Sequence, residues 1–208
     1  RRVFIFLHSY MPTWSRKKYV ISLTIIFAPA IAAAWNIDMW KVEQTWLDRN
    51  NELRQWLELP DYTIDTRLSE TAQIWSHNAF LNQEIDHQRL PTDGYYNYGS
   101  IEKWFLSKGI TFKNVNRATF SESLGYWYFS CKKDDCTDDL IASLKTTWAF
   151  YMKEKASMWM HYKALVHPYF TTMGMGVEVD PTLKRYYITL HYAAEVVPTI
   201  TARKKMPQ

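Results

Sequence analysis

The stretch 154–193, EKASMWMHYKALVHPYFTTMGMGVEVDPTLKRYYITLHYA, decides the fold. A short helical segment carries His161, and the chain then extends through His167-Pro168. A strand is predicted over 171–179, with Gly174 and Gly176 inside it. Pro181 and its neighbours make a turn, and a second, aromatic strand runs over 185–193. Two alternating runs joined by a Pro-containing turn read as a hairpin. Glycine inside a strand marks either a bulge or a place where something approaches the backbone. A histidine on a helix that feeds a buried hairpin is the first candidate for chemistry.

Upstream, Trp46, Leu53 and Leu57 share a helical face that ends before Pro60, as helices tend to. In YTIDTRLSETAQIWSHNAFLNQEIDH, Asp65 is the predicted N-cap, and Leu68, Ala72, Trp75 and Ala79 recur at helical spacing. Residues 88–120 are polar and aromatic, broken by Pro91, Gly94 and Gly99. They enclose a short predicted helix over 100–107, capped by Ser100. Thr137-Asp138-Asp139 opens another helix, with acids in the first turn where the helix dipole favours them. Its apolar face is Ile141, Leu144, Trp148 and Tyr151.

The first 34 residues hold five basic side chains (Arg1, Arg2, Arg16, Lys17, Lys18) and no acid. Arg16-Lys17-Lys18, the apolar run 19–34 and its closing alanines have the three parts of a secretory signal peptide, with Met11 as a candidate start. The alternative is an uncleaved N-terminal anchor, although the run is shorter than a membrane span and Pro29 interrupts it. Of 25 basic residues five lie here, so the remainder sets 20 basic against 21 acidic residues, a net charge of −1. No basic stripe is left to argue for nucleic acid. Export to an oxidising compartment makes the close pair Cys131 and Cys136 a local disulfide rather than half of a metal site.

These blocks resemble the CAP superfamily (cysteine-rich secretory proteins, antigen 5 and pathogenesis-related 1), in its bacterial, secreted form. NELRQWLELPDYTIDTRLSETAQIWS, residues 51–76, is similar to the family's N-x-x-R helix, Leu-Pro turn and Leu-x-x-x-Ala helix, which ends near a histidine, here His87. Ser121-Glu122-Ser123-Leu124 stands where the family carries a Gly-Glu-Asn-Leu/Ile loop, with serines replacing the Gly and Asn. Glu154 follows Trp148 as in the family's Trp-x-x-x-Glu-like element, and the stretch from His161 through Gly174-x-Gly176 is similar to the domain's end. The resemblance implies a three-layer α-β-α sandwich with a central, mostly antiparallel sheet between the Leu68 and Leu144 helices. It divides the chain into an extension and signal segment (1–34), a linker (35–44), the CAP domain (45–194) and a tail (195–208) with the basic Arg203-Lys204-Lys205.

The resemblance also implies a cleft built from His87, His161, Glu122 and Glu154. Imidazole and carboxylate suit Zn2+ or another divalent cation. Each residue has a plainer reading. His87 lies past a helix end, where a protonated imidazole suits the dipole. Glu154 stands between Lys153 and Lys155, the pattern of a solvated charge. His77 reads as a surface residue, His167 as packing the turn before Pro168, and His191 as satisfying a local hydrogen bond. No Gly-x-Ser-x-Gly elbow, P-loop or dinucleotide fingerprint is present. The expectation is a secreted binding module for a lipid or sterol, a peptide or an extracellular protein. The alternatives are a metal-dependent hydrolase with Glu122 or Glu154 as general base, and a structural remnant without ligand.

Overall fold

Asp38 starts the first helix by accepting the Lys41 backbone N–H at 3.0 Å, so α1 (Met39–Trp56) begins inside the stretch 35–44. The computed structural model describes residues 35–198, and the targeting segment and the Arg203-Lys204-Lys205 cluster fall outside them. After β1 (Thr63–Ile64), Asp65 accepts the Arg67 N–H and caps α2 (Thr66–Asn82), as its sequence predicts. Next come α3 (Tyr98–Ser107), β2 (Ile110–Phe112), β3 (Phe120–Tyr128) and α4 (Thr137–Lys153). A single turn over 154–156 leads into α5 (Met160–Leu165), β4 (Thr172–Asp180), β5 (Arg185–Ala193) and β6 (Val196–Pro198). The cap of α3 is Asn97, whose side chain accepts the Ser100 N–H, and not Ser100 itself. Cys131 and Cys136 form the disulfide.

The main sheet runs β1-β4-β5-β3. Its pairings β4·β5 and β3·β5 are antiparallel and β1·β4 is parallel, so the sheet is mixed. A two-residue strand carries too little pattern for its direction to be read from sequence. Strand alternation sends side chains to opposite faces. On one face Met173, Met175, Ile188, Leu190 and Tyr192 pack with Trp46 of α1 and Leu140, Leu144 and Tyr151 of α4. On the other face lies α2, and a second core of Leu68, Ile101, Phe105, Phe120 and Ala193 joins it to α3. Helices therefore cover both faces, as the α-β-α expectation requires.

Two glycines set the distance between α2 and the sheet. A Cβ on Gly174 would lie 2.2 Å from the Ser69 nitrogen, and one on Gly176 would lie 2.1 Å from the Gln73 nitrogen. The ladder through Gly174↔His191 and Gly176↔Thr189 is unbroken, so the glycines admit the helix backbone and make no bulge.

A buried arginine ties α1 to the segment that follows α5. Arg54 donates to the carbonyls of Pro60 (2.5 Å), Leu165 (3.0 Å), His167 (3.2 Å) and Phe170 (2.9 Å), and its guanidinium lies 3.9 Å from the Tyr62 ring centroid. Four carbonyl dipoles and one aromatic face replace the water lost on burial. This arginine fixes where α5, and with it His161, meets the body of the domain.

Gly176→Ala is expected to destabilise the fold by about 1–3 kcal/mol or more, because its methyl group would have to push two backbones apart. Gly94→Ala, whose Cβ would meet nothing within 4 Å, is the control. Urea denaturation of both variants checks the difference.

Candidate functional site

Glu122 lies mid-strand in β3, opposite His191 of β5, and not in a loop. By strand alternation Glu122 and Leu124 share one face of β3 while the serines share the other, where Ser123 is buried as well. The Glu122 side chain is fully buried. Its Oε1 accepts from His87 Nδ1 at 2.8 Å and from Arg89 Nη1 at 3.1 Å. Its Oε2 accepts from His191 Nε2 at 2.9 Å and from Arg89 Nη2. Burial alone would push the carboxyl up, but hydrogen bonds from His191 and His87 and the Arg89 charge outweigh it and hold it well below the usual carboxylate range. Burial pulls His191 down from the ordinary histidine value, against the opposing pull of Glu122.

The carboxylate can only accept, so these contacts set the histidine tautomers. His191 carries its proton on Nε2, leaving Nδ1 to accept from the Thr71 hydroxyl at 3.1 Å. His87 carries its proton on Nδ1 and keeps its Nε2 lone pair. Arg89 is clamped further: Nη1 donates to the His87 carbonyl at 2.9 Å, and the guanidinium lies 3.3 Å and 4.5 Å from the Trp75 and Trp104 ring centroids.

Glu154 and His161 form a second pair. Glu154 Oε1 accepts from His161 Nδ1 at 2.8 Å, while Oε2 accepts the backbone N–H groups of His161 (3.1 Å) and Tyr162 (3.3 Å). Glu154 therefore caps α5 and orients its histidine at once, and it is not a free solvated charge. The imidazole stacks on Tyr151, with centroids 4.4 Å apart and planes 4° apart. Tyr151 in turn donates to the Leu124 carbonyl of β3 at 3.0 Å. Along another side of α5, through Met160, Lys163 and Ala164, runs a groove of about 360 Å3, walled also by Phe120 and Phe170.

The four residues named from sequence thus come together as two His–Glu pairs, each histidine held at Nδ1. Among the described residues no three His, Cys, Asp or Glu side chains are arranged to hold one metal ion. Sequence reading missed Arg89 and the part played by His191, which bonds across to Glu122 and Thr71 and not locally. An inward histidine directly opposite a buried glutamate is a signal that becomes visible once β3 and β5 are paired. His77 is surface-exposed beside Glu178, and His167 stacks on Phe170 with centroids 3.9 Å apart.

Glu122→Gln would leave the Arg89 charge buried without its anion, a loss of about 3–5 kcal/mol by denaturant titration. The sign with pH follows from the shifts. His191 has a depressed value when folded, so stability falls as pH drops below about 6.5; the depressed Glu122 adds a further fall below about 4.3. Glu122→Gln should remove the lower step.

A family model for the cysteine-rich secretory protein (CAP) family matches residues 47–192. No curated protein sequence matches the chain. Among solved structures, an outer surface protein of Borrelia burgdorferi is similar with a TM-score of 0.52 at 16% identity, over 76% of this chain and 95% of that one. The CAP domain of enterococcal PrgA is similar with a TM-score of 0.52 at 13% identity, over 74% of this chain and 61% of that one. A third, described as an extracellular SCP-domain protein of Bacillus anthracis, is 18% identical, with a TM-score of 0.49 over 74% of this chain and 41% of its own length. The first two likenesses, at identities this low, speak for the fold alone, while the family match covers most of the chain and both glutamates, both paired histidines and the glycine strand fall inside it; the chain belongs to the CAP family.

Proposed function

We propose that this CAP domain is an extracellular binding module and not a hydrolase. One observation carries the reading: Glu122 has no lone pair to spare for a reacting water, and both oxygens of Glu154 are already engaged with His161 and the start of α5. Glu122 accepts four hydrogen bonds within a buried cluster, and Glu154 accepts three. A general base needs reach to its proton and a pKa near the working pH, and Glu122 has been driven the other way. What the pairs do offer is two imidazoles with their Nε2 lone pairs free.

That donor set suits an exchangeable divalent cation such as Zn2+. A histidine whose other nitrogen is held by a carboxylate has a fixed tautomer and higher basicity toward a metal. Resident zinc takes three or four protein ligands, so two imidazoles fit a weak and open site. His87 and His161 would hold the ion, which would supply a positive centre for an oxygen of the ligand. The apolar groove along α5 supports a lipid or sterol, a peptide or a segment of an extracellular protein as that ligand. The printed descriptions of the relatives as outer surface and extracellular proteins, together with the signal-like sequence 1–34, support export. Among the described residues no helix is long and apolar enough to cross a membrane.

Zinc titration of the full chain by calorimetry tests the reading, beside His87→Ala and His161→Ala variants whose folding is checked by circular dichroism. One weak site lost in both folded variants is the expected result. Metal-dependent cleavage of peptides or esters that Glu154→Gln abolishes would replace the binding module with a hydrolase.

A further inference from the structure

The main sheet ends on β3, and the far end of that strand is bare. In the order β1-β4-β5-β3, β3 has β5 on one side and, among the described residues, no strand on the other. The register decides which backbone groups point outward. The Ala194 N–H donates to the Thr119 carbonyl at 3.1 Å and the Phe129 N–H to the Lys184 carbonyl at 2.8 Å, so the odd-numbered residues of β3 bond to β5. The even-numbered residues turn their N–H and C=O to the free edge. At the start of the strand that edge is occupied: α5 lies beside its first residues, and the Tyr151 hydroxyl donates to the Leu124 carbonyl. Tyr126 and Tyr128 have no backbone partner on that side among the described residues.

The side chains at this end are aromatic and uncovered on both faces. Tyr126, Trp127 and Tyr128 are 48%, 53% and 63% exposed, although strand alternation sends the middle one to the opposite face. The helices thus stop short of this end of the sheet. Open edges are ordinarily blunted by a charge, a proline or a bulge. The run 123–129, SLGYWYF, holds no charge and no proline, and its ladder with β5 is unbroken. The Arg185 guanidinium on the neighbouring strand lies 5.4 Å from the Tyr126 ring centroid, a cation–π contact that leaves the edge itself uncharged.

We infer that β3 is a self-pairing edge: two copies of this chain join antiparallel about Trp127 and continue the sheet from one domain into the other. The free groups dictate the register. With Tyr126 opposite Tyr128 of the second copy, and Tyr128 opposite its Tyr126, the two pairs exchange four hydrogen bonds and leave no outward group of either residue unmet. Trp127 then faces its own counterpart across the two-fold axis, at the closely spaced position where cross-strand side chains meet. Sliding the copies by two residues would set Tyr128 against Leu124, whose carbonyl Tyr151 already engages. Covering three half-exposed aromatic side chains removes roughly 300 Å2 a side, against about 800 Å2 in a standard interface, so the dimer is weak and reversible. The inference does not depend on what the His–Glu pairs bind.

Sedimentation equilibrium of the full chain is expected to show a monomer–dimer equilibrium with a Kd on the order of 0.1 mM. Trp127→Lys and Trp127→Glu each set like charges opposite one another, and each should weaken the dimer about tenfold or more. Mixing the two variants should recover association that neither shows alone, because the two-fold register brings position 127 against itself. Tyr128→Pro removes an outward N–H from each copy without touching the ladder to β5. It should weaken association about tenfold while leaving the far-ultraviolet circular dichroism unchanged, and it keeps the test sound if a Trp127 variant fails to fold. A chain that stays monomeric up to about 1 mM overturns the inference and leaves the edge to a strand of another protein. A dimer that survives Trp127→Lys and Tyr128→Pro lies on another surface and overturns it equally, as do folded charge variants that stay apart when mixed.

Discussion

A carboxylate removed from water has to be surrounded, and Glu122 shows what that demands of the chain. Its partners come from three places: the loop after α2 supplies His87 and Arg89, β5 supplies His191, and Thr71 of α2 steadies His191 from behind. Trp75 and Trp104 then close over the guanidinium, which brings α3 into the same assembly. Breaking a buried ion pair by removing one partner is costly because the other charge remains. The cluster therefore constrains the register of β3 on β5, the seat of α2 and the path of the loop that carries His87. Stability and site geometry share one set of side chains.

The second pair works by different physics. Glu154 satisfies backbone donors that the short helix α5 would otherwise leave open, and its remaining oxygen orients His161. Arg54 fixes the other end of the same helix by accepting nothing and donating to carbonyls at 165, 167 and 170. A six-residue helix has little stability of its own. Held at both ends, it orients His161 and lines a groove with Met160, Lys163 and Ala164. The position of His161 is in this sense a consequence of how the smallest helix is anchored.

Much of this was legible in the chain. The Asp65 cap and the Leu68–Ala79 spacing describe α2 correctly because both signals are local. Gly174 and Gly176 announced either a bulge or a close approach, and only the structure shows that it is the approach of α2. The parallel strand β1 and the pair β2·β6 were not legible, since two or three residues show no period. His87, Glu122, Glu154 and His161 could be named, yet their division into two pairs could not, because it depends on sheet register. His191 looked like one more residue in an aromatic strand, and Arg89 like one more charge in a polar loop. Both owe their roles to partners more than 30 residues away.

By clamping the histidines, Glu122 and Glu154 choose their tautomers. Two-dimensional nitrogen–proton correlation of the imidazole rings reads this directly at pH 8, above the ordinary histidine range. The structure requires the proton on Nδ1 in His87 and His161 and on Nε2 in His191. Signals for His87 and His161 with the proton on Nε2, or in rapid exchange between the two nitrogens, would contradict the clamp and with it the case for a module presenting two metal-ready imidazoles.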